Sequence, residues 1–138
     1  MTGIDSAPLA PGVGPGPVEQ FREHLRQGRF MLQKCSRSNR YFYYPRAATM
    51  DAASSELQWV EVSGAGEVYS TTIVRQKPER GGNYNISIVQ LAEGPRMLTR
   101  VLGIDPTSVS IGMKVTARIE MPDWDPKAKA PIVVFYPA

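Results

Sequence analysis

Cysteine and histidine, the side chains that most often bind zinc in proteins, each occur once in this 138-residue chain, as Cys35 and His24. A single thiol excludes an internal disulfide framework, which is typical of a cytoplasmic protein. We expect His24 to lie at the surface of an N-terminal helix, since no spacing identifies a partner for it. Because an active site needs several convergent titratable groups, the composition predicts that this chain alone is not an enzyme.

Long apolar runs are absent as well. No segment approaches the roughly 20 residues that cross a bilayer, and the N-terminus lacks the charged and apolar regions of a secretory signal. The sequence therefore predicts a cytoplasmic protein with no membrane partner. No glycine-rich phosphate loop of the Walker or Rossmann type occurs either, because Gly64 and Gly66 lack the third glycine and the helix that such a loop requires.

Positive charge is concentrated in one part of the chain, although the formal net charge is only +3. Residues 20–46 contain seven basic residues and one acid, whereas residues 47–138 contain nine basic and ten acidic residues. Such a basic segment attracts nucleic acid, a phosphorylated cofactor or an acidic protein surface, or it is simply a solvated face without a ligand. The candidate binding residues in it are Arg22, Arg26, Arg29, Arg37, Arg40 and Arg46.

The N-terminal third predicts one helix followed by an irregular segment. Residues 1–16 are rich in proline, glycine and alanine and predict a disordered tail. Residues 17–32 predict a helical segment, since Pro17 suits a first turn and apolar residues follow it at helical spacing. The aromatic run at residues 40–46 predicts a short strand that is ended by proline.

From residue 57 onward, short β-rich segments alternate with turn signals. The predicted strands cover residues 57–62, 67–74, 85–92, 96–102, 114–120 and 132–136. Asp105 and Pro106 predict a short helical turn over residues 105–110. This order favours a mainly β protein whose residues 60–138 form a five-stranded OB-fold barrel. Trp124, in a loop between two acids, is predicted to be exposed, either as an interface anchor or as a cover over one end of the barrel.

Seven short blocks occur along the chain in a fixed order. They read LQKC at residues 32–35, YPR at 44–46, LQWV at 57–60, SGAGEVYS at 63–70, EGPRMLT at 93–99, IGM at 111–113 and VFYP at 134–137. Together with the helix before them, these blocks resemble the DUF35 family over nearly the whole folded chain. Members of this family contain a rubredoxin-like zinc ribbon followed by an OB-fold, and the resemblance implies that architecture here.

The resemblance also implies where zinc would bind. The four ligand positions of the family fall on Cys35, Ser38, Thr49 and Ala52, of which only Cys35 keeps a ligand. Serine and threonine hydroxyls are poor zinc ligands, and alanine provides none. We therefore predict that residues 33–59 form a degenerate, metal-free ribbon, that the protein binds no zinc, and that Cys35 is a remnant ligand rather than a nucleophile.

A role follows from the same resemblance. Members of the family work beside thiolase-like enzymes that process acyl-coenzyme A thioesters, in acyl transfer or retro-aldol cleavage. The resemblance therefore implies a non-catalytic accessory subunit, with a thiolase-like enzyme as its partner and an acyl-CoA thioester as a ligand. The six arginines and Trp124 are then candidates for binding coenzyme A or the partner. No cofactor of its own is expected, and a homo-oligomer is compatible with the sequence.

An alternative is a single-stranded nucleic-acid-binding protein, since OB-folds bind such strands with basic grooves and aromatic rings. Tyr41, Phe42, Tyr43 and Tyr44 lie among the arginines and suggest such stacking. However, neighbouring residues on a strand point to opposite faces, and the predicted barrel is slightly acidic, so nucleic acid is the less favoured partner. A third interpretation is a diverged paralogue with an unrelated ligand.

Overall fold

Two units, each containing one antiparallel sheet, make up the described part of the chain. The computed structural model describes residues 16–48 and 56–138, so all but the last residue of the predicted tail lies outside them. The N-terminal unit ends at Val62 and the C-terminal unit begins at Ser63. Strands dominate both units and one α-helix precedes them, so the prediction of a mainly β fold with an N-terminal helix is confirmed.

The N-terminal unit consists of a helix and a three-stranded sheet. Its elements are α1 at Pro17–Arg26, β1 at Met31–Cys35, β2 at Tyr41–Phe42 and β3 at Leu57–Glu61, with the strand order β2-β1-β3. Pro17 occupies the first helical position, as predicted, and the apolar stripe buries Phe21 and Leu25. At ten residues α1 is too short to span a membrane, and no other helix among the described residues has the length and apolar character to do so.

The predicted aromatic strand is shorter than expected, because only the pair Tyr41–Phe42 joins β1. Pro45 has no N–H to donate to a strand partner, so the run does not continue as a strand. The backbone after Pro45 is held instead by the side-chain amide of Gln33. Gln33, which is 5% exposed, donates from Nε2 to the Arg46 carbonyl at 2.6 Å and accepts from the Arg46 N–H at 2.7 Å.

His24 is buried, so the prediction of a surface histidine was wrong. Its ring is 2% exposed and its centroid lies 5.1 Å from that of Trp59. Position 24 follows Phe21 by three residues and therefore shares the buried face of α1. Neither imidazole nitrogen has a hydrogen-bond partner in the part of the chain that the structure describes. Burial, and secondly the positive charge of Arg29, lower the pKa of His24.

The stability of the N-terminal unit is expected to fall in mild acid because of His24. An unfolded histidine takes up a proton near pH ~6.5, whereas the lowered pKa keeps the folded His24 neutral to lower pH. This contribution to stability is therefore complete above pH ~6.5 and is lost as the pH falls through the folded-state pKa, by at most about 1.4 kcal/mol per pH unit. Urea unfolding followed by the fluorescence of Trp59, in a Trp124→Phe background, measures this slope.

The matched variant His24→Phe keeps an aromatic ring against Trp59 but has no titratable nitrogen. It is expected to remove the slope below pH ~6.5, where an unfolded histidine takes up a proton and the folded His24 does not. It should also raise stability by about 1–3 kcal/mol, because two unpaired buried polar atoms disappear. An equal slope in both proteins would contradict the assignment to His24.

The C-terminal unit is a five-stranded antiparallel barrel. Its strands are β4 at Ala65–Val74, β5 at Tyr84–Leu91, β6 at Arg96–Thr99, β7 at Lys114–Glu120 and β8 at Ile132–Pro137, in the order β6-β5-β4-β7-β8. A short 3-10 turn at Pro106–Ser108 lies between β6 and β7. The Asp105 carboxylate caps this turn, as predicted, by accepting from the Thr107 N–H at 2.8 Å. The predicted OB-fold is thus confirmed.

The barrel closes where the chain after β6 meets β8. Val101 forms a parallel bridge with Phe135. The flanking backbone bonds run from the Leu102 N–H to the Phe135 carbonyl at 2.7 Å and from the Phe135 N–H to the Arg100 carbonyl at 3.1 Å. Asn85 on β5, which is 2% exposed, also fixes Val101: its Nδ2 donates to the Val101 carbonyl at 2.7 Å, and its Oδ1 accepts from the Val101 N–H at 3.0 Å. One buried carboxamide therefore holds the segment that closes the barrel.

Candidate functional site

The two arginines of α1 that were predicted to face a ligand are paired with carboxylates of the same helix. Arg26 lies 2.8 Å from Glu19 and 3.2 Å from Glu23, and Arg22 lies 3.8 Å from Glu19. Hydrogen bonding from Arg26 is the main cause that lowers the pKa of Glu19. Two positive and two negative side chains share one exposed face, so the field of α1 on an incoming anion is weak.

The other four predicted arginines of the N-terminal unit lie outside its helix and strands, two of them on the connection between β1 and β2. Arg29 follows α1, and Arg37 forms an ion pair with Glu56 at 3.2 Å. Arg40 lies over the ring of Phe42 at 5.5 Å, and Arg46 is exposed after the backbone clamp from β1. These four side chains differ in their surroundings. The positive charge of residues 20–46 is partly neutralised by ion pairs with Glu19, Glu23 and Glu56.

The turn after β1 brings together Cys35 and Ser38, the first two of the four positions at which the resemblance to the DUF35 family implies zinc ligands. The Ser38 N–H donates to Cys35 Sγ at 3.4 Å, and hydrogen bonding from Ser38 lowers the pKa of the buried Cys35 thiol. Thr49 and Ala52 lie outside the described residues. No three His, Cys, Asp or Glu side chains converge within residues 16–48 and 56–138. With one thiol at these two positions, the side chains present do not fit a structural zinc ion, which needs four ligands.

The outer surface of β4, β5 and β6 carries apolar side chains at its centre. Burial alternates along β5, so that every second residue points away from the barrel interior. These outward residues are Tyr84, Ile86, Ile88 and Gln90. On the adjoining strands, Leu98 lies opposite Ile88 and is 65% exposed, and Tyr69 is 48% exposed. A half-solvated antiparallel sheet usually presents polar side chains to water, so this surface, which we call the β4–β6 face, departs from the usual pattern.

Two arginines lie flat against aromatic rings on the β4–β6 face. The guanidinium carbon of Arg96 is 3.7 Å from the ring centroid of Tyr69. That of Arg100 lies 3.7 Å from the ring of Tyr84 and 4.1 Å from the ring of Trp124, so this group contacts two aromatic rings. Burial lowers the pKa of Arg100, although a guanidinium remains charged at any physiological pH. Such stacking holds the charged group in one orientation and leaves the edge of its plane available for hydrogen bonds.

Within residues 16–48 and 56–138, no carboxylate lies at ion-pair distance from Arg96 or Arg100, although the negative charge of Asp123 attracts Arg100 more weakly. Among the described residues, the ion pairs of arginine involve Arg22, Arg26 and Arg37, all in the N-terminal unit. Arg96 instead donates from Nε to the neutral Gln90 Oε1 at 2.9 Å. The β4–β6 face therefore combines apolar side chains with two oriented positive charges.

The arginines and aromatic rings that stack on the β4–β6 face form a cluster, of which the sequence analysis identified one member. Trp124 is exposed, as predicted, but one side of its ring is covered by Arg100. The missed residues are Tyr69, Tyr84, Arg96 and Arg100. One signal was present in the sequence: the strand at residues 85–92 is apolar at positions of both alternating sets, which indicates a strand with a contact surface on each side.

The proposed stacking rings of the nucleic-acid alternative are engaged within their own unit. The ring of Tyr43 lies 5.8 Å from Phe21 and 5.4 Å from Tyr44. Lys34 lies over the ring of Tyr41 at 5.2 Å, and Arg40 lies over Phe42. These contacts leave less ring surface for bases to stack on.

Comparison with known families and proteins places this chain among two groups of relatives. A family model described as "ChsH2, C-terminal OB-fold domain" matches residues 59–120. A "DUF35 domain-containing scaffold protein" of Pyrococcus furiosus is 30% identical over 106 residues, which cover 73% of this chain and 76% of that protein. A "Probable enoyl-CoA hydratase alpha subunit" of Thermomonospora curvata is 31% identical over 121 residues, which cover 84% of this chain but 36% of the subunit.

A second hydratase subunit shows the same difference in length. The "3-oxo-4,17-pregnadiene-20-carboxyl-CoA hydratase alpha subunit" of Mycobacterium tuberculosis is 39% identical over 83 residues, which cover 58% of this chain and 27% of the subunit. The chain therefore spans about a third of the length of the hydratase subunits that it matches.

Among solved structures, a chain of the "Ltp2-ChsH2(DUF35) aldolase" superposes with a TM-score of 0.74 and 27% identity. The superposition covers 93% of this chain and 98% of the other. A DUF35 protein of Sulfolobus solfataricus, described as of unknown function, superposes with a TM-score of 0.58 at 21% identity, which shows a shared fold alone.

Proposed function

This chain belongs to the DUF35 family, and we propose that it is a non-catalytic accessory subunit that binds a thiolase-fold enzyme and assists the handling of acyl-CoA. The observation that supports the proposal most is the superposition over 93% of the chain on a component of the Ltp2-ChsH2(DUF35) aldolase, whose name includes a second protein beside the DUF35 component. The hydratase alpha subunits among the relatives carry an acyl-CoA substrate in their names, which supports the same class of ligand.

The placement of the reactive side chains supports a role without catalysis of its own. His24, the only histidine of the chain, is buried against Trp59. Cys35, the only cysteine, is fully buried against Leu57 and Phe42. A nucleophile or general base must reach the reacting atoms of a substrate, and neither side chain is exposed to one.

Coenzyme A carries phosphates, and arginine is well suited to bind them with two parallel hydrogen bonds. The proposed binding residues remain Arg22, Arg26, Arg29, Arg37, Arg40, Arg46 and Trp124. We expect these arginines to contribute unequally to phosphate binding, because the charges of Arg22 and Arg26 are matched by Glu19 and Glu23. We therefore assign the larger share of any phosphate contact to the exposed Arg29 and Arg46.

Purification of the tagged full-length chain from its native cell tests the proposal. We expect a thiolase-fold enzyme to co-purify in a stoichiometric amount, as identified by mass spectrometry and by the mass of the complex. Recovery of the chain alone, or with nucleic acid, would contradict the accessory role. The second measurement is the binding of a short-chain acyl-CoA to the purified complex by calorimetry.

Two double variants distinguish the contributions of the arginines to acyl-CoA binding, as measured by calorimetry. Arg29→Ala with Arg46→Ala is expected to weaken acyl-CoA binding by about tenfold or more, since hydrogen bonds to charged groups contribute about 1.5–3 kcal/mol each. The matched control, Arg22→Ala with Arg26→Ala, removes the same formal charge from α1 and is expected to change the affinity by less than about threefold, since exposed ion pairs are weak. Equal effects of the two variants would contradict this division.

A further inference from the structure

We propose that the β4–β6 face is the surface that docks onto the partner enzyme, and that it receives an acidic segment of that enzyme. In this arrangement a carboxylate of the partner binds the edge of the Arg100 guanidinium, and apolar side chains beside it cover Ile86, Ile88 and Leu98. The inference rests on the proposed function and adds to it the contact surface and the chemistry of the partner.

The two positive charges of the β4–β6 face determine the charge that we expect on the partner. Arg96 and Arg100 are held by aromatic rings, and no carboxylate of the described residues forms an ion pair with either. A cationic group in such a place gains most from a partner that brings a carboxylate, which forms two parallel hydrogen bonds with a guanidinium edge. A basic partner would repel both cations, and an uncharged partner would desolvate them without bringing a carboxylate to hydrogen-bond distance.

The apolar centre of the face determines the class of the partner. Leu98 is 65% exposed and lies opposite Ile88, so a partner must cover aliphatic side chains. Single-stranded nucleic acid binds by stacking its bases on free aromatic faces, whereas the rings of Tyr69, Tyr84 and Trp124 each carry an arginine. Tryptophan, tyrosine and arginine are also the residues that dominate binding energy at protein interfaces. These features favour a protein.

The cluster is ordered before any partner binds. Arg100 immediately precedes Val101, whose backbone is fixed by the Asn85 carboxamide, and the Arg100 carbonyl accepts from the Phe135 N–H. Its side chain lies between two rings. Ordering a free arginine at an interface costs side-chain entropy, and much of this ordering is already present here.

Photo-crosslinking of the full chain in its native cell tests this docking surface. Leu98→p-benzoylphenylalanine places the crosslinker at the centre of the face, and Thr116→p-benzoylphenylalanine places it on an exposed position of β7 as a control. We expect Leu98 to crosslink to the thiolase-fold enzyme at a peptide that contains aspartate or glutamate, and Thr116 to give no such product. Co-purification with the tagged chain before irradiation reports whether the enzyme is bound at all.

The outcomes separate this inference from the proposed function. Co-purification of the enzyme without a crosslink from Leu98 would overturn the docking surface and leave the accessory role intact. Absence of both the co-purification and a crosslink to an enzyme would overturn the docking surface and the accessory role. A product of Leu98 with nucleic acid, or with a second copy of this chain, would overturn the acidic protein partner.

A matched pair of variants gives the affinity. Arg100→Ala is expected to weaken binding of the purified enzyme by about 30-fold, the loss typical of a central interface residue. Arg118→Ala removes a similar stacking contact, with the ring of Tyr136 at 4.2 Å, from strands outside the face, and is expected to change the affinity by less than about twofold. Equal affinities of the two variants, with unchanged circular dichroism, would overturn the role of Arg100. Rescue of Arg100→Glu by lysine at the crosslinked carboxylate would establish the charge pair.

Discussion

Asn85→Ala is expected to lower the free energy of unfolding of the OB-fold unit by about 4 kcal/mol, since each buried polar group left unpaired costs about 1–3 kcal/mol. Two such groups are left unpaired, the N–H and the carbonyl of Val101. The Ser87 hydroxyl loses Asn85 Oδ1, to which it donates at 2.8 Å, but keeps the Thr71 hydroxyl at 2.9 Å. The loss is large because Val101 lies at the bridge to Phe135, where the sheet closes into a barrel.

Urea unfolding of the full chain, followed by Trp124 fluorescence in a Trp59→Phe background, measures this loss. Asn83→Ala is the matched control, because Asn83 is exposed and its side chain accepts one hydrogen bond, from the Gln76 N–H at 3.0 Å. We expect that control to lose less than about 1 kcal/mol, the contribution of one ordinary hydrogen bond. A comparable loss in both variants would show that the closure does not depend on the buried amide.

The strands of the barrel could be predicted because the patterns that indicate a strand or a turn involve residues that are close together in the sequence. Alternation of side chains from residue 114 to 120 and the proline-capped turn at residue 106 depend on neighbours within a few positions. The same holds for the ion pairs of α1, which the sequence contains at spacings of three residues but which were not used to weigh Arg22 and Arg26. The prediction of a positive field around α1 counted charges along the chain, but it did not consider that Glu19 and Glu23 form ion pairs with Arg22 and Arg26.

The candidate site depended on information that is not local. Tyr84, Arg100 and Trp124 are far apart in the sequence and meet because β6 lies beside β5 and the barrel closes after it. Burial of His24 likewise depends on β3, which brings Trp59 against α1. Single-sequence patterns assign a residue to a strand or a helix face, but they do not specify which distant ring covers which side chain.

Restoring three cysteines is expected to convert this chain into a zinc-binding protein. The variant combines Ser38→Cys, Thr49→Cys and Ala52→Cys with the natural Cys35, so that two pairs of thiols share the C-x2-C spacing of structural zinc sites. The turn at the first pair has a suitable form already, since the Ser38 N–H donates to Cys35 Sγ and lowers the pKa of that thiol. Binding of zinc to such a site contributes on the order of 10 kcal/mol to folding, so a marked rise of the melting temperature of the N-terminal unit should accompany it.

Zinc content by mass spectrometry of the native protein, together with thermal unfolding with and without a chelator, measures the outcome. We expect about one zinc per chain in the variant and none in the wild type, as four thiolates complete a tetrahedral site and one does not. Addition of Cys35→Ser to the variant is the matched control and should weaken zinc binding sharply, because it leaves three ligands. Failure of the variant to bind more zinc than this control would mean that the segment has lost the ribbon conformation as well as its ligands. Binding with a raised melting temperature would mean that substitution at these three positions alone is enough to complete a zinc site in this segment.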